Sequence, residues 1–148
     1  MRKLLLIFAI VGLLYYGSTL ESRNARQQQA QYLNTASPSD KLLADAYENH
    51  KSLSVVEGGG MVEKVLPDDT NGTRHQRFII RLGSGQTLLV AHNIDLAGRV
   101  SSLSIGDAVQ FRGEYAWNPQ GGVIHWTHHD PARRHAPGWI KHNGRTYQ

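Results

Sequence analysis

The stretch that decides the fold is His75-Gln76-Arg77-Phe78-Ile79-Ile80-Arg81-Leu82, then Gly83-Ser84-Gly85, then Gln86-Thr87-Leu88-Leu89-Val90-Ala91-His92-Asn93. Two runs rich in β-branched and aromatic residues flank a glycine-bearing loop, which is the signature of a hairpin. A two-residue turn pairs Phe78 with Ala91 and scatters the apolar side chains over both faces. A three-residue loop pairs Leu82 with Gln86, Ile80 with Leu88, Phe78 with Val90 and Gln76 with His92. Phe78, Ile80, Leu82, Leu88 and Val90 then share one face. Register follows the buried face, so the three-residue loop is the expected one.

Working outward, the period of two persists. A strand over 54–66 precedes the hairpin and is interrupted by Gly58-Gly59-Gly60, where it can bend. Strands follow over 108–115 and 122–129. Residues 96–103 read as a short helix or turn, and Ile105-Gly106-Asp107 leads into the fourth strand. Trp117-Asn118-Pro119-Gln120-Gly121-Gly122 is a hairpin turn, with Tyr115 and Trp117 read as core. Three strands, a link and two strands is the order of an OB fold. The fold class expected is therefore all-β, a five-stranded OB-fold-like barrel over 53–148, with a β-sandwich as the rival. Ahead of it, Ser37-Pro38-Ser39-Asp40 combines a capping serine, a first-turn proline and an acid at the capping-box position. A short amphipathic helix is expected to about Lys51, with Leu42, Leu43, Ala46 and Tyr47 on one face.

Arg2 and Lys3 precede a run without charge that lasts until Glu21, the pattern of a signal peptide or membrane anchor over 1–20. Residues 21–52 read as a polar tether with the short helix at its end. This implies an extracytoplasmic protein, periplasmic, secreted, or held at the inner membrane through residues 4–20. The net charge of +4 includes Arg2 and Lys3 and is too small to argue for nucleic acid by itself. Its distribution is uneven: residues 131–148 hold Arg133, Arg134, Lys141 and Arg145 and no carboxylate side chain. There is no cysteine, which excludes disulfide scaffolds, thiolate metal sites and cysteine nucleophiles. Only Met1 and Met61 supply thioethers, which argues against a copper(I) specialist.

The chemistry-bearing feature is the run His125-Trp126-Thr127-His128-His129-Asp130, with His135 after it: four of the eight histidines within eleven positions. In an OB barrel the third and fifth strands run parallel, so His75, His92 with Asp95, and His128-His129-Asp130 should meet at one rim. A regular strand puts His125, Thr127 and His129 on one face and Trp126 and His128 on the other. The chelating pairs it allows are His125 with His129, or His128 with His92. Imidazoles with a carboxylate suit three roles: a divalent metal site such as zinc on His92, His128 and Asp130; acid–base chemistry on a histidine oriented by Asp95 or Asp130; or structural bonding of the rim. Asp68-Asp69-Thr70-Asn71-Gly72 lacks the acid spacing and closing glutamate of a calcium loop and reads as a turn. No serine elbow, P-loop or dinucleotide fingerprint is present.

Several longer stretches carry a resemblance: Val65-Leu66-Pro67-Asp68-Asp69, Arg74-His75-Gln76-Arg77-Phe78, Ala91-His92-Asn93-Ile94-Asp95-Leu96-Ala97, Gly113-Glu114-Tyr115-Ala116-Trp117-Asn118, the segment 121–131 and Gly138-Trp139-Ile140-Lys141-His142-Asn143-Gly144. From about Gly60 to Gln148 the chain resembles the bacterial family known as domain of unknown function 3465. The resemblance implies an exported bacterial protein and brings no activity, cofactor or active-site residue with it.

The function expected from the residues is an envelope binding module for an anionic oligomer, oligonucleotide or saccharide. Its ligand site would comprise His75, Arg77, Arg81, His92, Asp95, His125, Trp126, His128, His129, Asp130 and His135. The alternatives are a metal- or histidine-dependent hydrolase of phosphodiester type, or a periplasmic metal-binding protein.

Overall fold

A computed structural model describes residues 37–148. The signal or anchor segment over 1–20 and the tether as far as residue 36 lie outside the described residues. The described chain is mostly β: one helix, α1 (Pro38–Glu48), and seven strands, β1 (Leu53–Asp69), β2 (His75–Arg81), β3 (Thr87–Asn93), β4 (Ala108–Ala116), β5 (Val123–His125), β6 (Trp139–His142) and β7 (Arg145–Tyr147). No helix among the described residues is long and apolar enough to cross a membrane.

The hairpin register is the expected one. Phe78 pairs with Val90, Ile80 with Leu88 and Gln76 with His92. The Leu82 N–H donates to the Gln86 carbonyl at 2.9 Å, closing the loop through Gly85 at φ +89°. β1 bends and serves two partners. Its first half pairs with β4 (Gly58 with Phe111, Gly60 with Val109) and its second half with β2 (Val62 with Ile80, Leu66 with Arg77). Gly60 stands where a Cβ would lie 2.7 Å from the Arg81 carbonyl oxygen, so the glycine permits that close approach. β3 and β5 are parallel, Leu89 beside Val123 and Val90 beside Ile124, and β5 is antiparallel to β4. The pairings thus run β1–β2–β3–β5–β4 and return to β1.

Two expectations change. β5 ends at His125 rather than 129, because Trp126 takes φ +54° and leaves the extended conformation. The basic C-terminal segment, expected to carry no strand, supplies two: β6 pairs with β4 (Phe111 with Ile140) and β7 with β6, raising the strand count from five to seven. The β6–β7 turn is Asn143-Gly144, both residues left-handed, at φ +47° and +74°. Asn-Gly is the strongest short hairpin signal in a sequence. Of the two readings for residues 96–103 the turn holds: 96 and 101–102 are turns, 97 is a bend, and no helix forms.

The core lies inside this circuit: Val62, Phe78, Ile80, Leu88, Val90, Val109, Phe111, Tyr115, Ile124 and Ile140 are all buried. α1 covers it with Leu43 and Ala46, while Leu42 is half-exposed and does not belong to the buried face. The third buried residue of α1 is Asp40. Its N–H donates to the Ser37 hydroxyl oxygen, and its carboxylate accepts from the Ser37 hydroxyl at 2.8 Å and the Ser84 N–H at 3.2 Å. The helix cap is therefore also the joint between α1 and the β2–β3 loop.

Candidate functional site

The start of β2 and the ends of β3 and β5 lie side by side through the pairings just described, and this gathers histidines from distant segments. They do not all play one part. His92 is completely buried on the inner face. Its Nε2–H donates to the Gly98 carbonyl at 3.1 Å, and its Nδ1 accepts from the Thr127 hydroxyl at 2.8 Å. Both nitrogens are thereby used, and the network assigns the neutral tautomer. Burial pushes the His92 pKa down to about 4, against the Gly98 carbonyl, which favours the charged form; the nearby His128 and His75 add to the lowering. His128 is also buried, with Nδ1 donating to the His129 carbonyl at 2.7 Å.

Asp130 organises its own loop. Its carboxylate accepts from the backbone N–H of Ala132 (2.9 Å), Arg134 (2.7 Å) and His135 (3.2 Å). These bonds, the Ala132 N–H foremost, hold its carboxyl below the usual carboxylate range. The expected metal set of His92, His128 and Asp130 thus lacks a common vertex with free donor atoms. Among the described residues no three His, Asp or Glu side chains are placed to hold a metal ion.

A different group does assemble. Glu114 on β4 sits opposite His125 on β5. His135 reaches back from the loop and its Nδ1 donates to Glu114 Oε1 at 2.5 Å. The His135 ring stacks on Trp126, with centroids 3.6 Å apart and planes 11° from parallel. Burial lowers the His125 pKa; Glu114 opposes that shift, and His135 and His75 reinforce it. An open cleft of about 560 Å³ lies against this group, lined by His129, Asp130, Pro131, Arg133, His135 and Pro137. The loop returns to the sheet at Gly138, whose N–H donates to the His128 carbonyl at 3.1 Å. Glu114 was legible only as a polar-face residue of the fourth strand; its partnership needed the β4–β5 register.

Residues 28–148 match the model of a family described as protein of unknown function (DUF3465). The chain belongs to this family. No curated protein matches it.

In this DUF3465 member the hairpin arginines of the expected ligand site, Arg77 and Arg81, are already neutralised or tied down. The Arg81 guanidinium meets Glu63 Oε1 at 2.5 Å and the Gly85 carbonyl at 3.1 Å. Arg77 Nε donates to the Pro67 carbonyl at 3.0 Å. Asp95 accepts from the Arg74 N–H, Nε and Nη2, each at 2.7 Å, which holds its carboxyl below the usual carboxylate range. Arg99 pairs with Asp68, and Arg112 faces Glu57 at 3.5 Å. His75 Nδ1 donates to the Thr73 carbonyl at 2.8 Å. Among the described residues Arg133 and Arg134 form no ion pair, and both are exposed. Arg133 and Arg134 therefore place cationic charge on the loop that forms the cleft, with the Asp130 carboxylate of the same loop near enough to interact with Arg134; Arg77 and Arg145 likewise form no ion pair among the described residues.

Proposed function

We propose that this protein is an extracytoplasmic binding module with an OB-like barrel, taking an anionic oligomer at the loop of residues 126–138. The strand circuit with β3 and β5 parallel supports the OB reading. The observation that carries the ligand reading is the pairing of charges. Arg74, Arg81, Arg99 and Arg112 each face a carboxylate, whereas Arg133, which lines an open cleft, and its chain neighbour Arg134 form no ion pair among the described residues. Unpaired arginines at a concave surface attract phosphate or sulfate groups, and more strongly as neighbouring histidines gain protons. Export rests on Arg2, Lys3 and the uncharged run before Glu21. Cell fractionation with mass measurement of the mature N-terminus tests it.

The binding test titrates the full chain with a labelled single-stranded oligonucleotide and with a sulfated oligosaccharide at several salt concentrations. Affinity should fall steeply with salt. The double variant Arg133→Ala/Arg134→Ala should lower the slope of log K on log salt by about 2, one for each phosphate that the variant leaves without its arginine. Arg77→Ala should leave binding unchanged. Equal damage from Arg77→Ala would move the site to the β2–β3 face, and no binding of any polyanion would remove the reading.

One observation favours histidine-based phosphodiester hydrolysis as a second reading. Glu114 fixes the His135 tautomer, as a carboxylate does for a general acid or base. Release of nitrophenol from bis(nitrophenyl) phosphate, abolished in His135→Ala, is its test.

A further inference from the structure

We infer that the cleft takes a nucleotide unit: a nucleobase laid on the exposed face of His135, with its phosphate at Arg133 and Arg134. The inference rests on the anion reading of this loop and adds the flat heterocycle to it.

The platform is already built. Trp126 covers one face of the His135 imidazole at 3.6 Å, and the bond from Nδ1 to Glu114 fixes the ring in its plane. What remains of His135 is 31% exposed and borders the cleft. Its Nε2 makes no hydrogen bond among the described residues. A ring held on one face and one edge loses little freedom when a second ring stacks on it.

The identity of the platform narrows the ligand. Saccharides favour a broad indole face, whereas Trp126 does not line the cleft and has one face covered by His135. The small flat polar ring left on offer suits another flat polar ring, and stacking on histidine is a recurrent way of holding unpaired bases. The charges sit at the right place in the chain. Asp130 gathers the N–H groups of Ala132, Arg134 and His135, so the loop that aims His135 also fixes the backbone carrying both arginines. The volume of about 560 Å³ lies within the ordinary range for a small-molecule site.

The test uses the full chain and four probes: a single-stranded oligonucleotide, an abasic oligonucleotide of the same length and charge, inorganic polyphosphate, and a mononucleotide. The base-bearing strand should bind about tenfold more tightly than the abasic one, the effect of one stacked base. His135→Ala should erase that difference and leave abasic affinity as it was. His135→Phe, which keeps a flat ring without the Glu114 bond, should retain it. Arg133→Ala/Arg134→Ala should weaken both strands alike. A mononucleotide matching the oligonucleotide would make the natural ligand a free nucleotide, and a weaker one a strand; both outcomes keep the stacked base. Equal affinity for base-bearing, abasic and polyphosphate probes would overturn the inference and leave the anion site standing. Failure of every probe would overturn the anion reading itself.

Discussion

To accept a proton, His92 must surrender the hydrogen bond from Thr127, because Nδ1 is the acceptor in it. The native chain resists this down to about pH 4, whereas an unfolded histidine takes its proton at 6.5. Between those values the unfolded state binds more protons than the native one. The His92 contribution to stability is therefore fully present above pH 6.5, declines as pH falls and levels off below about 4. A shift of this size corresponds to roughly 3 kcal/mol, and His125, lowered in the same direction, adds to it. Urea unfolding followed from neutral to acid pH should show a steep acid limb in the wild type and a shallower one in His92→Gln. Superimposable limbs would show that His92 is not the group responsible. Thr127→Val keeps the shape of the side chain and strands the imidazole nitrogen. It should cost about 1–3 kcal/mol at neutral pH in the same assay. The residue types here were plain in the sequence. Whether a histidine lines a pocket or packs a core was not, because that depends on which atoms surround each ring nitrogen.

Strand β5 shows how an element is cut short by its surroundings. Alternation of side chains across 122–129 suits a strand to its end, yet the run breaks after His125, where Trp126 turns left-handed and meets His135. The ring that Trp126 meets comes from nine residues further along, beyond any local pattern. The return of the loop is equally constrained. A Cβ on Gly138 would lie 2.0 Å from the Trp126 carbonyl oxygen and 2.5 Å from that of Arg112, both backbone atoms that cannot swing aside. Gly138→Ala should therefore destabilise the protein by about 3 kcal/mol or more, and should weaken ligand binding in whatever fraction still folds. A melting temperature equal to wild type would show that the loop can back away from β4. The β6–β7 hairpin, by contrast, carried a local signal in Asn143-Gly144, flanked by the alternation of Ile140 and His142 inward with Lys141 outward.

At the scale of the molecule, α1 adds Leu43 to the apolar core of the strand circuit, and the residue is wholly buried there. Leu43→Ala should cost about 2–5 kcal/mol, the range for opening a core cavity, measured by chemical denaturation. A loss under about 1 kcal/mol would mean that the helix rests on the sheet without sealing it. Closure also governs charge. β1 brings Glu63 to Arg81, and the loop after β3 brings Asp95 to Arg74, so these two cations are compensated by segments remote in sequence, while Arg77 bonds to the Pro67 carbonyl. Residues 131–148 have no carboxylate side chain to do the same. Arg133 and Arg134 thus stand exposed and without an ion pair on the cleft loop, and the proposed anion site follows from that placement.

By itself, the sequence determined the hairpin register, the bend in β1, the cap of α1 and the basic character of the C-terminal segment. Each depends on side-chain period, glycine position or composition, which act over a few neighbouring residues. Only the tertiary structure decided that His92 is sealed in the core, that Arg77 and Arg81 are already engaged, and that Glu114, His135 and Trp126 form one assembly. Those outcomes depend on hydrogen bonds and stacking between residues far apart along the chain, and such contacts are defined only once the strands have closed upon one another.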